Sequence, residues 1–164
     1  MWQLNRDGLA DDSLGSATHA SGFLRDSHAK RTFTLAEAVG GNPFNYVELG
    51  PEPTKTTHIL SRLLDLGADV RSYTAVDINP AYKPVVIKQI SSVLPQGCVH
   101  YREQLFEDVT SDDVHISGAP SVFIMLGFEE GNDHPQNIAA MLAQMMLPGD
   151  YLISEMQLLP RAGW

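Results

Sequence analysis

A single cysteine, Cys98, rules out an internal disulfide and fits a reducing compartment. Standing just before a strand-like segment, it reads as a small buried apolar residue. No apolar run approaches the roughly 20 residues that a membrane-crossing helix needs. Bases are scarce: 11 Lys and Arg against 20 Asp and Glu leave a net charge of −9, a surface that repels phosphate backbones. The opening MWQLNRDGLADDSLG lacks a basic region followed by an apolar core, so no signal peptide is expected. These absences point to a soluble, cytoplasmic chain with no nucleic-acid and no membrane partner.

Several motifs are also missing. Gly-x-Gly-x-x-Gly is absent, which argues against a nicotinamide dehydrogenase, and neither Gly-x-x-x-x-Gly-Lys-Ser/Thr nor Gly-x-Ser-x-Gly occurs. His58, His100, His115 and His134 show no close ligand spacing and no cysteine pair exists, so no metal site is expected. No repeat or low-complexity tract is visible.

The chain has 164 residues, 43% of them hydrophobic, enough for one compact domain. Residues 1–40 read as a polar arm ending in a short helix, Thr34–Val39, with Thr34 as its cap. Residues 41–164 read as a Rossmann-like domain whose last strands are missing. Its strands are expected over Tyr46–Leu49, Tyr73–Ile78, Cys98–Tyr101, Ser121–Leu126 and Tyr151–Met156. Helices are expected over Thr54–Leu66, Tyr82–Val93 and Pro135–Met146. Gly67 suits the C-terminal cap of the first of these, and Pro80 the first turn of the second. Ser121–Leu126 is continuously apolar, as the interior of a parallel sheet is. The alternation implies an α/β, doubly wound, mostly parallel sheet with helices on both faces. Ligands bind such sheets beyond the carboxyl ends of the strands, where the strand order reverses.

The candidate residues lie at those ends. Gly50 either lets a ligand approach the backbone or merely makes the strand-to-helix turn. Asp77 either accepts hydrogen bonds from a ribose diol or caps the turn before Asn79-Pro80. Glu48 either orients the loop amides or a cationic ligand, or is a solvated strand-end acid. Phe106 either lies on a base face or is ordinary core. Glu129, Glu130 and Asp133 form an acidic loop, attractive to an amine or simply solvated. Met141, Met145 and Met146 lie at helical spacing and read as core filler.

Four stretches together resemble class I S-adenosylmethionine-dependent methyltransferases. They are Val47-Glu48-Leu49-Gly50 through Lys55-Thr56; Ala75-Val76-Asp77-Ile78-Asn79; Leu126-Gly127-Phe128-Glu129-Glu130-Gly131-Asn132; and Pro148-Gly149-Asp150-Tyr151-Leu152-Ile153. The Leu-Gly-x-x-x-Gly-Asn element makes the likeness closest to the histidine-specific, ergothioneine-pathway methyltransferases. The resemblance implies S-adenosyl-L-methionine as cofactor, with Gly50 and Lys55 at its methionine end and Asp77 at its ribose. It implies Phe106 at the adenine, Gly127 in the pocket wall, and Asn132 holding an amino-acid substrate; Glu48 and Gln104 join the cofactor-binding candidates from their places beside these residues. No catalytic base is implied.

The sequence departs from that family in three places. Glu52 stands where the family loop has a glycine, and a carboxylate there is expected to repel the cofactor's carboxylate and hinder close backbone approach. Leu105 replaces the acid before the adenine-stacking Phe, leaving Gln104 as the polar contact. The strands after the fifth are absent, which leaves a sheet edge for a second copy or a partner to cover. Two functions follow: a methyltransferase acting on the nitrogen of an amino acid or small amine, or a degenerate methyltransferase-like binding module inactive on its own.

Overall fold

The computed structural model describes residues 24–126 and 133–154. Five parallel strands form one sheet: β1 (Phe44–Leu49), β2 (Val70–Val76), β3 (Val99–Arg102), β4 (Ser121–Met125) and β5 (Tyr151–Ser154). Their spatial order is β3-β2-β1-β4-β5, so the strand order reverses between β1 and β4. Among the described residues, five helices accompany them: α1 (Leu24–Val39), α2 (Pro53–Asp65), α3 (Lys83–Ile90), α4 (Ser111–Val114) and α5 (Pro135–Met145). This is the α/β, doubly wound architecture expected from the alternation.

Every residue of β1 is buried, because the strand is central and covered on both sides. Its side chains alternate between two hydrophobic clusters. Phe44 and Tyr46 pack with Leu35 and Val39 of α1, Ile59, Leu60 and Leu63 of α2, and Val86 and Ile90 of α3. Val47 and Leu49 pack on the other face with Val114 of α4, Phe123 and Met125 of β4, and Met145 of α5. Met141 and Met146 lean on this second cluster, so the methionines fill core as expected.

Some boundaries differ from the sequence reading. The helix expected over Thr34–Val39 begins at Leu24, inside the stretch read as a loose arm. Thr34 is not its cap: its hydroxyl donates back to Lys30 O at 3.1 Å. Among its described side chains, Thr32, Leu35 and Val39 are buried, so packing against α2 and the sheet holds a helix whose own apolar pattern is weak. Pro80 lies in a turn ahead of α3, while Pro84 occupies that helix's first turn. Two 3₁₀ turns, Gln96–Cys98 and Phe106–Asp108, and the one-turn α4 had no periodic signal to announce them. Cys98 sits half-buried in the first 3₁₀ turn rather than in the core. Gly67 does end α2 as expected: its φ of 80° is left-handed, and its N–H and that of Ala68 reach Leu64 O and Leu63 O.

Polar pins secure the amino ends of the strands. Asn45, fully buried in β1, accepts from Ser72 Oγ at 2.8 Å and Ser117 Oγ at 2.7 Å, and donates to Ala119 O at 2.8 Å and Ser121 Oγ at 3.5 Å. Both of its amide lone pairs and both of its protons are thereby used. Asp150 holds the start of β5, accepting from Ser121 N and Leu147 N at 2.7 Å each and pairing with His115 Nε2 at 2.8 Å.

Replacing Asn45 with Ala strands buried hydroxyls and a carbonyl without replacing their partner. The Asn45→Ala variant is expected to lose about 2–4 kcal/mol of stability, measured as a lower urea midpoint with an unchanged slope. A loss below about 0.5 kcal/mol would show that the cluster does not bear on stability.

Candidate functional site

The carboxyl ends of β1, β2 and β3 are brought level by the turns that leave them. Gly50 N donates to Val76 O at 3.0 Å and Asp77 N to Arg102 O at 3.1 Å, so the parallel ladder continues one residue past each strand. Gly50 has φ +71°, a left-handed conformation that L side chains rarely adopt, so the chain turns there on a glycine.

Above this level edge lies an open cleft of about 170 Å³, lined by Gly50, Asp77, Ile78, Gln104, Leu105, Phe106 and Glu107. Four residues singled out in the sequence, Gly50, Asp77, Gln104 and Phe106, therefore share one cavity although they come from three separate connections. Ile78, Leu105 and Glu107 also line it. Ile78 belongs to the stretch that carries Asp77 and Leu105 was noted as a departure before Phe106, whereas Glu107 carried no signal of its own.

The cleft's walls are set by local bonds. Asp77 Oδ1 accepts from Asn79 N at 2.7 Å, an Asx turn that fixes the carboxylate at the end of β2. Asp77 thus caps the turn and faces the cleft together. Tyr101 OH donates to Asn79 O at 2.7 Å and holds the same loop from β3. Partial burial, followed by the nearby charges of Asp77 and Glu103, pushes its hydroxyl up to about 12, so it keeps its proton. Phe106 lines the cleft and also leans on the core cluster around Val109 and Val114.

Glu48 and Lys55 are not among the cleft's lining residues. Glu48 is completely buried on β1 and uses both oxygens. Oε1 accepts from Thr56 Oγ1 at 2.5 Å and from Glu52 N at 3.1 Å, while Oε2 accepts from Tyr73 OH at 2.6 Å. The rings of Tyr73 and its β1 neighbour Tyr46 stack at 5.8 Å. Burial raises the Glu48 carboxyl to about 6 despite these bonds, and the Glu52 charge adds to the rise. Of the two readings of Glu48, a solvated strand-end acid is excluded. Lys55 is also buried, in the first turn of α2.

Glu52 takes a position that the loop comparison did not foresee. It is the N-cap of α2, with Oε2 accepting from Lys55 N at 2.6 Å, and Pro53 follows as the first helical residue. Among the described residues, no group of three or more His, Cys, Asp or Glu is arranged to hold a metal ion, and no helix is long and apolar enough to cross a membrane. Gly127 and Asn132, with Glu129 and Glu130 of the acidic loop, lie outside the described residues.

No protein-family profile matches the sequence, and no curated protein matches it. Solved structures do. A SAM-dependent methyltransferase from Thiobacillus denitrificans in complex with S-adenosyl-L-homocysteine aligns with a TM-score of 0.51 at 17% identity, over 75% of this chain and 46% of that one. A superfamily member from Burkholderia thailandensis, bound to S-adenosyl-homocysteine, aligns with a TM-score of 0.43 at 16% identity, over 60% of this chain and 24% of that one. This chain thus spans less than half the length of either. The first alignment establishes the fold: an α/β, Rossmann-like sheet of the kind S-adenosylmethionine-dependent methyltransferases use.

Ionising Glu48 is harder in the folded chain than in the unfolded one, because its carboxyl lies near 6 rather than its usual 4.5. The folded state therefore holds the extra proton between those values. This group's contribution is full below pH 4.5 and is lost as pH rises through 6. The loss is about 2 kcal/mol by linkage. In Glu48→Gln this segment of the stability–pH curve should flatten, read from urea midpoints at several pH values. An unchanged slope would remove Glu48 as its source.

Proposed function

We propose that this chain is an S-adenosylmethionine-dependent methyltransferase, cytoplasmic, acting on the nitrogen of an amino acid, histidine-like, or of another small amine. The observation that carries the reading is the convergence of Gly50, Asp77, Gln104 and Phe106 on one cleft at the strand ends. Their chemistry suits the nucleoside end of the cofactor. A carboxylate accepts from a ribose diol, an aromatic face takes a purine, and a carboxamide offers both a donor and an acceptor to the base edge. The fold shared with a methyltransferase solved with S-adenosyl-L-homocysteine supports the same choice. Glu48 and Lys55 belong, in this reading, to the turn at the methionine end.

When bound, S-adenosylmethionine supplies a sulfonium methyl that a neutral amine takes by in-line displacement, leaving a thioether and releasing a proton. Such a reaction depends chiefly on positioning. The chain's part is to hold the nucleoside with Asp77, Gln104 and Phe106 and to fix the turn at Gly50. Support for an amino-acid substrate comes from the sequence Leu126-Gly127-Phe128-Glu129-Glu130-Gly131-Asn132, with Asn132 as the substrate contact and Gly127 in the pocket wall. A second copy or a partner would cover the β5 edge, where Tyr151 and Leu152 are exposed.

One observation favours a second reading, a methyltransferase-like binding module without activity of its own. Glu52 replaces a loop glycine with a buried carboxylate.

Calorimetric titration with S-adenosylhomocysteine tests the cofactor assignment. Binding is expected, and Asp77→Ala should weaken it by about 1–3 kcal/mol. No binding at millimolar ligand would reject the enzyme reading, and an unchanged affinity in the variant would remove Asp77 from the site.

A further inference from the structure

A second cavity, of about 390 Å³, opens at the other end of the sheet. It lies where Phe44 begins β1, Pro120 precedes β4 and Tyr151 begins β5, beside Val39 at the end of α1. Buried Val39 and Phe44 give it an apolar floor, and the more exposed Pro43, Pro120 and Tyr151 add rings. None of its lining residues is Asp, Glu, Lys, Arg or His. Asn42 contributes a carboxamide, with both a donor and an acceptor. At Gly118 and Gly149 an added Cβ would meet nothing within 4 Å, so the space beside the backbone there is open. The walls are held by the chain itself. Tyr151 OH donates to Ala38 O at 3.2 Å and ties β5 to α1. Asn45 Nδ2 donates to Ala119 O at 2.8 Å, and Asp150, between Gly149 and Tyr151, accepts from Ser121 N and Leu147 N at 2.7 Å each. A preformed hollow of this size, mostly apolar with a few fixed polar groups, has the form of a small-molecule site.

We infer that this cavity binds a small, uncharged, flat ring compound with an amide-type edge. Three features select that class. A charged ligand would leave water here without a counter-charge among the lining residues. The proline and tyrosine rings offer flat apolar surface to a ring face. The Asn42 carboxamide pairs donor with acceptor and acceptor with donor against an amide edge. Phe44 lines this cavity and Gly50 the cleft, so the six residues of β1 stand between them, roughly 20 Å of strand. The ligand is therefore neither the cofactor nor its methyl acceptor, and the inference does not depend on the cofactor reading.

The test uses nicotinamide as the probe and nicotinate, the same ring with a carboxylate, as its charged counterpart. Each is titrated into the ¹⁵N-labelled chain while the amide signals of Gly118 and Gly149 are followed by NMR. Nicotinamide should shift both signals saturably in the millimolar range, and nicotinate should bind roughly 10-fold more weakly or not at all. Ala119 also lines the cavity, and Ala119→Trp, which fills it, should abolish the nicotinamide shifts. Asn42 is exposed, so Asn42→Ala leaves the fold intact and should weaken nicotinamide about threefold to tenfold, the scale of a neutral hydrogen bond. The absence of saturable shifts with nicotinamide would overturn the inference, and so would equal binding of nicotinate. Undiminished binding in Ala119→Trp would overturn it as well. Should the urea midpoint show that Ala119→Trp has lost its fold, Asn42→Ala decides: weakened binding upholds the site, and unchanged affinity overturns it.

Discussion

The carboxylate of Glu48 is the fixed point of the carboxyl end of this protein's central strand. It sits on the central strand with no exposure to solvent, and the turn that follows is hung from it. Thr56 from the first turn of α2, the backbone of Glu52, and Tyr73 from the neighbouring strand all donate to it. Taking a carboxylate out of water costs several kcal/mol. The elevated carboxyl, near 6, shows that three hydrogen bonds offset this only in part. An apolar residue of similar volume would leave the hydroxyls of Thr56 and Tyr73 and the N–H of Glu52 without their acceptor. The three donors and the carboxylate thus hold one another, and together they fix where the chain leaves β1 and where α2 begins.

From that fixed point the cleft follows. With the β1–α2 turn held, Gly50 stays level with Val76, and the ladder carries the same level across to Asp77 and Arg102. The three connections then open side by side on the β1–β3 side of the strand-order reversal. Each contributes a different chemistry because each leaves its strand differently. β1 leaves on a left-handed glycine, β2 on an Asx turn, and β3 through an extended Leu105 into a 3₁₀ turn. The sheet provides the common height and the loops provide the groups, a division seen wherever irregular segments carry function on a rigid scaffold.

This division also explains how much the sequence reveals. β4 is legible because a strand buried on both faces is mostly apolar, and Ser121–Met125 is buried at every position. Gly67 and Pro135 are legible because backbone conformation leaves few alternatives at helix ends. Asp77 is legible as a strand-end acid. The extension of α1 to Leu24 is not, because Thr32 is one of its buried residues and Phe33 beside it is exposed. That inverts the pattern a reader looks for. Short turns such as Phe106–Asp108 have no period to detect. Least legible is Glu52: in the sequence it is an acid where a glycine was expected, and only coordinates reveal a cap with one oxygen spent and one unpartnered.

The charge at that position bears on which nucleotide-like ligands the fold admits. Rossmann-like sheets that bind dinucleotides bring a pyrophosphate to the N-terminus of the first helix, where free N–H groups and the helix dipole favour an anion. Here α2 begins with Glu52 bonded to Lys55 N, and Glu48 lies immediately behind it. A pyrophosphate arriving at this turn would meet one carboxylate at the helix end and a second within hydrogen-bond reach of Glu52's backbone. Opposite charges at short range attract, and like charges repel, by several kcal/mol at the intermediate dielectric of a protein surface. The absence of Gly-x-Gly-x-x-Gly already removed the close backbone approach that a pyrophosphate needs, and the two acids remove the electrostatic welcome as well.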